Sequence, residues 1–275
     1  MRHISNGIAV ATALVLLLTG VVGAAGPPSG PLAKCPVDAV VSGAGCMDKY
    51  EASVWRVPNP TTTNKGLVAK IRQGKATAAL LKAGGATLLG IAEDDYAPCA
   101  DSGQNCANDV YAVSLPGVTP SAIITWFQAQ QACASAGRRL PSNAEWQAAV
   151  AGTPDPGPDN GTTDCNTAST FTVATTGSRS SCVSSSGAFD MVGNLIEWVA
   201  DWVPLSKGCG DWSVGVSPTG DSQCLAGADE TGEPGALLRG GGFAFTGGPA
   251  AGPLAVFGTV GPSGSLNEIG FRCAR

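Results

Sequence analysis

The segment Phe189-Asp190-Met191-Val192-Gly193-Asn194-Leu195-Ile196-Glu197-Trp198-Val199-Ala200-Asp201-Trp202 gathers three carboxylates, two tryptophans and a Gly-Asn turn signal. Its apolar positions, Met191, Val192, Leu195, Ile196, Trp198 and Val199, do not alternate cleanly. Gly193-Asn194 predicts a tight loop that climbs into a short, buried, aromatic-rich segment. Asp190 and Glu197 bracket that loop. Two carboxylates with inward-pointing carbonyls form the oxygen-rich set that Ca²⁺ favours. The spacing is not that of an EF-hand, and the same two residues also read as a turn cap and a solvated acid.

The other reactive side chains narrow the chemistry. The only histidine is His3, inside an N-terminal apolar segment, so the chain that follows has no imidazole. This excludes a Ser-His-Asp triad, a Cys-His pair and any His-ligated zinc or iron site. Gly240-Gly241-Gly242 lacks the strand–GxGxxG–helix context of a phosphate cradle. A formal net charge of −5 gives no basic footprint for nucleic acid.

Arg2 and His3 precede the apolar run Ile8–Val22 and the small-residue exit Val22-Gly23-Ala24. Residues 1–25 are therefore expected to be a signal peptide, with a retained membrane anchor as the alternative. Residues 26–34 form a Pro/Gly linker and residues 35–275 a single domain. All ten cysteines follow the leader, and an even count in an exported chain predicts disulfides. Cys35/Cys46, Cys99/Cys106, Cys165/Cys182 and Cys209/Cys224 would each close a short surface loop. A secreted or periplasmic location follows, with no membrane contact once the leader is removed.

Several elements must position the central segment. Asp48–Trp55 is predicted as a strand. Leu67–Leu89 has helical character weakened by Gly74 and Gly84-Gly85. Thr125 is an N-cap signal for a helix to Ala136, closed by Gly137. Ser142-Asn143-Ala144-Glu145 is a capping box opening a second helix through Val150, which gives Glu145 a structural role. Residues 93–109 form a polar, Cys-bearing loop whose acids Glu93, Asp94 and Asp95 read as solvated. Residues 153–187 are a turn-dominated excursion containing Asn160-Gly161-Thr162, an N-glycosylation pattern. Leu237–Phe245 and Ile269–Ala274 read as strands.

Asp190-Met191-Val192-Gly193-Asn194-Leu195-Ile196-Glu197-Trp198 resembles the "YDM-x-GN-x-x-EW" signature of the sulfatase-modifying-factor domain, with Phe189 in place of the tyrosine. Asp48-Lys49-Tyr50-Glu51-Ala52-Ser53, Arg138-Arg139-Leu140-Pro141-Ser142-Asn143-Ala144-Glu145-Trp146, and Leu238-Arg239-Gly240-Gly241-Gly242-Phe243 with Ile269-Gly270-Phe271-Arg272-Cys273 match in the family's order. The resemblance implies an α+β, C-type-lectin-like fold, loop-rich and disulfide-stapled. It also implies a Cys133–Cys273 bridge from a helix to the last strand. It implies a structural Ca²⁺ held by Asp190, the main-chain oxygens of Gly193 and Leu195, and Glu197, with Asn166 as a candidate at a second calcium site. No copper or iron is expected. The ergothioneine-pathway branch needs iron-binding histidines. The formylglycine-generating branch uses a cysteine pair between its Arg-Gly-Gly and Gly-Phe-Arg motifs. The matching window, Phe243–Thr259, has no cysteine, so no catalytic residue is carried over. Two functions remain from the sequence. One is a secreted, calcium-stabilised, non-catalytic module binding an unknown protein or small-molecule ligand. The other is a divergent oxidoreductase acting on a protein or peptide, with Glu197, Asp201 or Glu268 as general bases.

Overall fold

The computed structural model describes residues 34–275 except 108, 155–158, 214, 218–219, 230–231 and 245–249. The expected signal peptide and all of the expected linker but Lys34 lie outside the described residues, as does Phe245.

The chain begins with a hairpin, β1 (Ala39–Ser42) and β2 (Gly45–Asp48), paired antiparallel. β3 (Ala52–Arg56) follows and sits between β4 (Thr87–Leu89) and β5 (Val110–Ser114) in a three-stranded antiparallel sheet. The strand expected over 48–55 is thus two strands. The break at Lys49–Glu51 frees Glu51 to reach the central loop.

Between β3 and β4 lie α1 (Lys65–Arg72) and α2 (Ala78–Ala83), which bury Val68, Ile71 and Leu81. The helical expectation for 67–89 was right in kind but too long. Gly74 adopts φ +70°, and a Cβ there would lie 2.0 Å from the Asp38 carboxylate, so the chain must turn at this point.

α3 (Trp126–Ser135) and α4 (Asn143–Ala149) both start at complete capping boxes, Thr125 with Gln128 and Ser142 with Glu145. Gly137 takes φ +71° after α3, as its position predicted. Ala129, Ala132 and Cys133 form the fully buried face of α3. The capping glutamate Glu145 also forks onto Arg139 at 2.6 and 2.7 Å.

The largest sheet has the order β11 (Ile269–Phe271), β6 (Ile196–Val203), β9 (Gly235–Arg239), β10 (Val256–Val260), β8 (Ser222–Ala226), β7 (Gly208–Asp211). The β11–β6 and β10–β8 pairs are parallel; the others are antiparallel. Strand alternation divides its side chains between two cores. Trp198, Leu238 and Phe271 pack with Ala132 and Cys133 of α3. Val199 and Leu237 pack with Trp146 of α4, Met47 and Met191. The first half of β6, Ile196–Val199, is therefore buried on both faces, while Ala200–Trp202 are exposed. The strand expected over 237–245 ends at Arg239, because Gly240 and Gly241 have φ +88° and +76°.

The ten cysteines form five disulfides, Cys35–Cys46, Cys99–Cys106, Cys133–Cys273, Cys165–Cys182 and Cys209–Cys224. These are the four short-loop pairs and the long-range bridge expected from the sequence. Five disulfides suit an oxidising, extracytoplasmic compartment. Among the described residues no helix is long and apolar enough to cross a membrane.

Candidate functional site

The loop before β6 is shaped by backbone that most residues avoid. Asp190, Gly193 and Asn194 all adopt positive φ, at +55°, +73° and +58°. A Cβ on Gly193 would lie 2.5 Å from the Asn166 carbonyl oxygen, so only glycine fits this close approach. Asn194 fastens the turn. Its Nδ2 donates to Glu51 and to the Ala174 carbonyl, and its Oδ1 accepts from the Ala174 amide at 2.7 Å and from Asn166 at 3.0 Å. The Leu195 amide donates to Glu51 Oε1 at 2.8 Å. Gly193 donates its amide to the Gly240 carbonyl at 3.2 Å, which docks the triple-glycine segment against the loop.

Glu197 leaves the loop on β6 and is 1% exposed. Arg272, fully buried just after β11, donates Nε to both Glu197 oxygens at 2.9 Å and Nη2 to Oε1 at 2.6 Å. The Trp146 indole donates to Oε2 at 2.7 Å. Three N–H groups thus reach the two oxygens, the single Arg272 Nε–H being shared between them. Arg272 also reaches the carbonyls of Phe189 at 2.9 Å, Asp190 at 3.4 Å, Asp48 at 3.2 Å and Lys49 at 3.5 Å.

Two further carboxylates complete the buried group. Asp190 accepts the Gly177 amide at 2.7 Å. Burial raises its pKa to about 6, against the opposing pull of that hydrogen bond and of Arg272. Glu51 is pushed well above the carboxylate range, first by burial, then by Asp190 and Glu197. A parallel ion-pair group lies next door. Arg138 donates Nη1 to both Asp48 oxygens at 2.7 and 2.8 Å and Nη2 to Asp38.

Asp190, Gly193 and Leu195 lie in the loop before β6, and Glu197 is the second residue of β6. Both Glu197 oxygens accept from Arg272 and Oε2 also from Trp146, while the Asp190 carboxylate accepts from the Gly177 amide. Among the described residues no three His, Cys, Asp or Glu side chains are placed to hold a metal. Asn166 is likewise committed: its Oδ1 accepts from Arg179 and Thr170, and its Nδ2 donates to Thr172 and Asn194.

The proposed bases are spread apart. Glu197 is locked as above. Asp201 accepts the Asn143 amide at 2.6 Å near the start of α4. Glu268 is half-buried, and burial raises its pKa. Sequence reasoning named Arg272, Trp146 and Glu51 only as letters within motifs. Their joint role was hidden because they meet Glu197 or its loop across 51 to 144 residues.

The surface carries a recess of about 680 Å³ between the 93–101 loop, the start of α3 and residues 265–267, lined among others by Asp101, Ile123, Gln128 and Leu266. Beside it on α3, Trp126 and Phe127 meet Trp202 edge-to-face at 5.1 to 5.7 Å, and Trp202 is 45% exposed.

The sulfatase-modifying factor enzyme 1-like domain matches residues 63–275, most of the chain. The chain belongs to this family. It is a member without the cysteine pair of the formylglycine-generating branch, and its fold is the α+β, C-type-lectin-like domain of the family. A segment of 85 residues is 36% identical to the serine/threonine-protein kinase Pkn1 of Chlamydia trachomatis serovar L2, covering 29% of this chain and 13% of the kinase. Among solved structures, the Major Tropism Determinant U1 variant is similar at 20% identity and TM-score 0.45, over 89% of this chain and 54% of that one. PvdO from Pseudomonas aeruginosa is similar at 19% identity and TM-score 0.40, over 86% of this chain and 82% of that one. The chain thus spans about half of the tropism determinant and a small part of the kinase.

Proposed function

We propose that this protein is an exported, non-catalytic binding module built on the sulfatase-modifying-factor fold. The observation that carries the reading is the state of the cysteines. All ten are paired in disulfides, and none lies between Phe243 and Thr259. A thiol-dependent oxidation has no nucleophile, and copper has no soft ligand. With no imidazole beyond His3, the remaining polar groups of the central loop are engaged in holding it. The recess beside α3, together with the exposed Trp202, is the candidate ligand surface, for a protein or small-molecule partner. Residues 1–25 would direct export to the periplasm or outside the cell.

Family membership favours a second reading, a divergent oxidoreductase acting on a protein or peptide. Among its candidate bases, Glu268 is half-buried with a pKa raised by that burial, whereas Glu197 is held by Arg272 and Trp146. The two readings are separated by incubating the oxidised protein with Cys-bearing peptides under air and following peptide mass. The binding module leaves the peptides unchanged. Formation of a peptide aldehyde with turnover, lost in Glu268→Gln, would replace the first reading by the second.

A further inference from the structure

The recess beside α3 is preformed, because its three walls are tied to one another. Gln128 donates Nε2 to the Cys99 carbonyl at 3.0 Å, and Thr125 donates Oγ1 to the Asp101 carbonyl at 2.7 Å. The Ile123 amide donates to the Leu266 carbonyl at 3.1 Å, and Cys99 is bridged to Cys106. Its volume of about 680 Å³ falls in the range of ligand pockets. Walls held in this way lose little freedom when a ligand fills the space between them.

Every charged side chain of the lining is acidic: Glu93, Asp94 and Asp101, all exposed. Among the described residues no ion pair answers Glu93 or Asp94. Asp101 accepts from Gln128 at 3.3 Å. Arg56 reaches the Tyr96 and Ala97 carbonyls of the lining, but its charge is already paired with Asp109. The three acids do not converge as metal ligands would. They accompany an apolar surface instead. Leu266 is 49% exposed, Ile123 lines the recess, and Ile91, two residues before Glu93, is 63% exposed. Unpaired negative charge beside exposed aliphatic surface complements a ligand that carries positive charge and aliphatic bulk together. A purely apolar ligand would leave the acids unanswered, and a bare cation would leave Leu266 in water.

We propose, resting on the reading of this recess as the ligand surface, that it docks a cationic, aliphatic stretch of a partner protein. Lysine or arginine side chains meet Glu93 and Asp94, and a leucine-like side chain packs on Leu266 and Ile123.

The test measures fluorescence anisotropy of labelled short peptides with the full-length oxidised protein at low salt, where exposed charges are least screened. One peptide alternates leucine with lysine, a second leucine with glutamate, and a third glycine with lysine. None contains cysteine, so binding is read apart from any peptide oxidation. The first should bind saturably, the second should not bind, and the third should bind about tenfold more weakly or worse. Glu93→Gln with Asp94→Asn should weaken the first about fivefold or more, and Leu266→Ser by a similar factor. Asp164→Asn with Asp211→Asn, the same loss of charge outside the lining, should leave it nearly unchanged. No saturable binding of the first peptide, or equal weakening by the two acid pairs, would overturn the proposal. Equal binding of the third would also overturn it, since charge alone would then suffice. Binding of the leucine–glutamate peptide that Leu266→Ser abolishes would overturn the cationic ligand and keep the recess as the ligand surface. Turnover of a Cys-bearing peptide to an aldehyde would instead remove the binding-module reading itself.

Discussion

Asp190→Asn is the most informative single change. Asp190 is 2% exposed and faces Glu51, Glu197, Arg272, Arg179 and Tyr50. Burial raises its pKa from 3.8 to about 6. A carboxyl with a raised folded-state pKa binds its proton more tightly in the native protein. Its stabilisation is complete below the unfolded value and is lost as pH rises through about 6. The gap between 3.8 and about 6, at about 1.4 kcal/mol per pH unit, corresponds to about 3 kcal/mol lost between pH 4 and 7. For a domain of this size that is a fall in melting temperature of about 6–12 °C. Glu51 shifts in the same direction, so the wild-type fall belongs to the pair. Asparagine keeps an oxygen for the Gly177 amide and tolerates the φ of +55° better than most residues. Asp190→Asn should therefore match the wild type near pH 4, exceed it at pH 7 by up to about 3 kcal/mol, and show a flatter profile between. Urea titrations of the oxidised protein at several pH values read this directly. Glu145, whose pKa its hydrogen bonds to Arg139 lower to about 2, loses its contribution only as pH falls below 4.5 and stays outside the window. An unaltered slope in the variant, or a clear loss of stability at pH 7, would refute the reasoning. The second outcome is what a calcium ligand at Asp190 would produce.

Three further changes test the scaffold. Replacing Cys133 and Cys273 together by serine opens a bridge across 140 residues between α3 and the chain end and should cost about 2–5 kcal/mol in urea unfolding; an unchanged midpoint would deny it a stabilising role. Ser142→Ala removes the capping acceptor of α4 and should cost about 1 kcal/mol by the same measurement, with a negligible change counting against the cap. Asp159→Ala should loosen the 153–187 excursion, since Asp159 accepts the amides of Gly161, Thr167, Ala168 and Ser169 and pairs with Arg179. Arg179 is 4% exposed in the wild type, so trypsin should cut after it only in the variant, as seen on a reducing gel; equal cleavage of both proteins would refute this.

Local signals survived translation into structure best. The Thr125 cap, the Ser142–Glu145 capping box, Gly137 and the turn at Gly193-Asn194 depend on neighbours within a few residues, and each formed as its chemistry predicts. The cysteine pairs were legible because sequence separation restricts the short loops, while Cys133–Cys273 came from family resemblance. Features set by distant contacts were less legible. The break between β2 and β3 exists because Glu51 is drawn to Asn194 and Leu195, and nothing near Glu51 announces that. The partners of Glu197 are distant in the same way: Arg272 is supplied 75 residues later and Trp146 51 residues earlier. Spacing showed that the loop gathers oxygens and could not show which side chains meet them.

Elemental analysis of the purified, oxidised protein for calcium, copper and iron tests the central claim most directly. A binding module with every cysteine in a disulfide and no imidazole beyond His3 should carry neither copper nor iron at a stoichiometric level after desalting. Stoichiometric calcium lost in Asp190→Asn would place that ion at the motif loop. Stoichiometric copper or iron would contradict the binding-module reading and return the protein to the oxidases of its family.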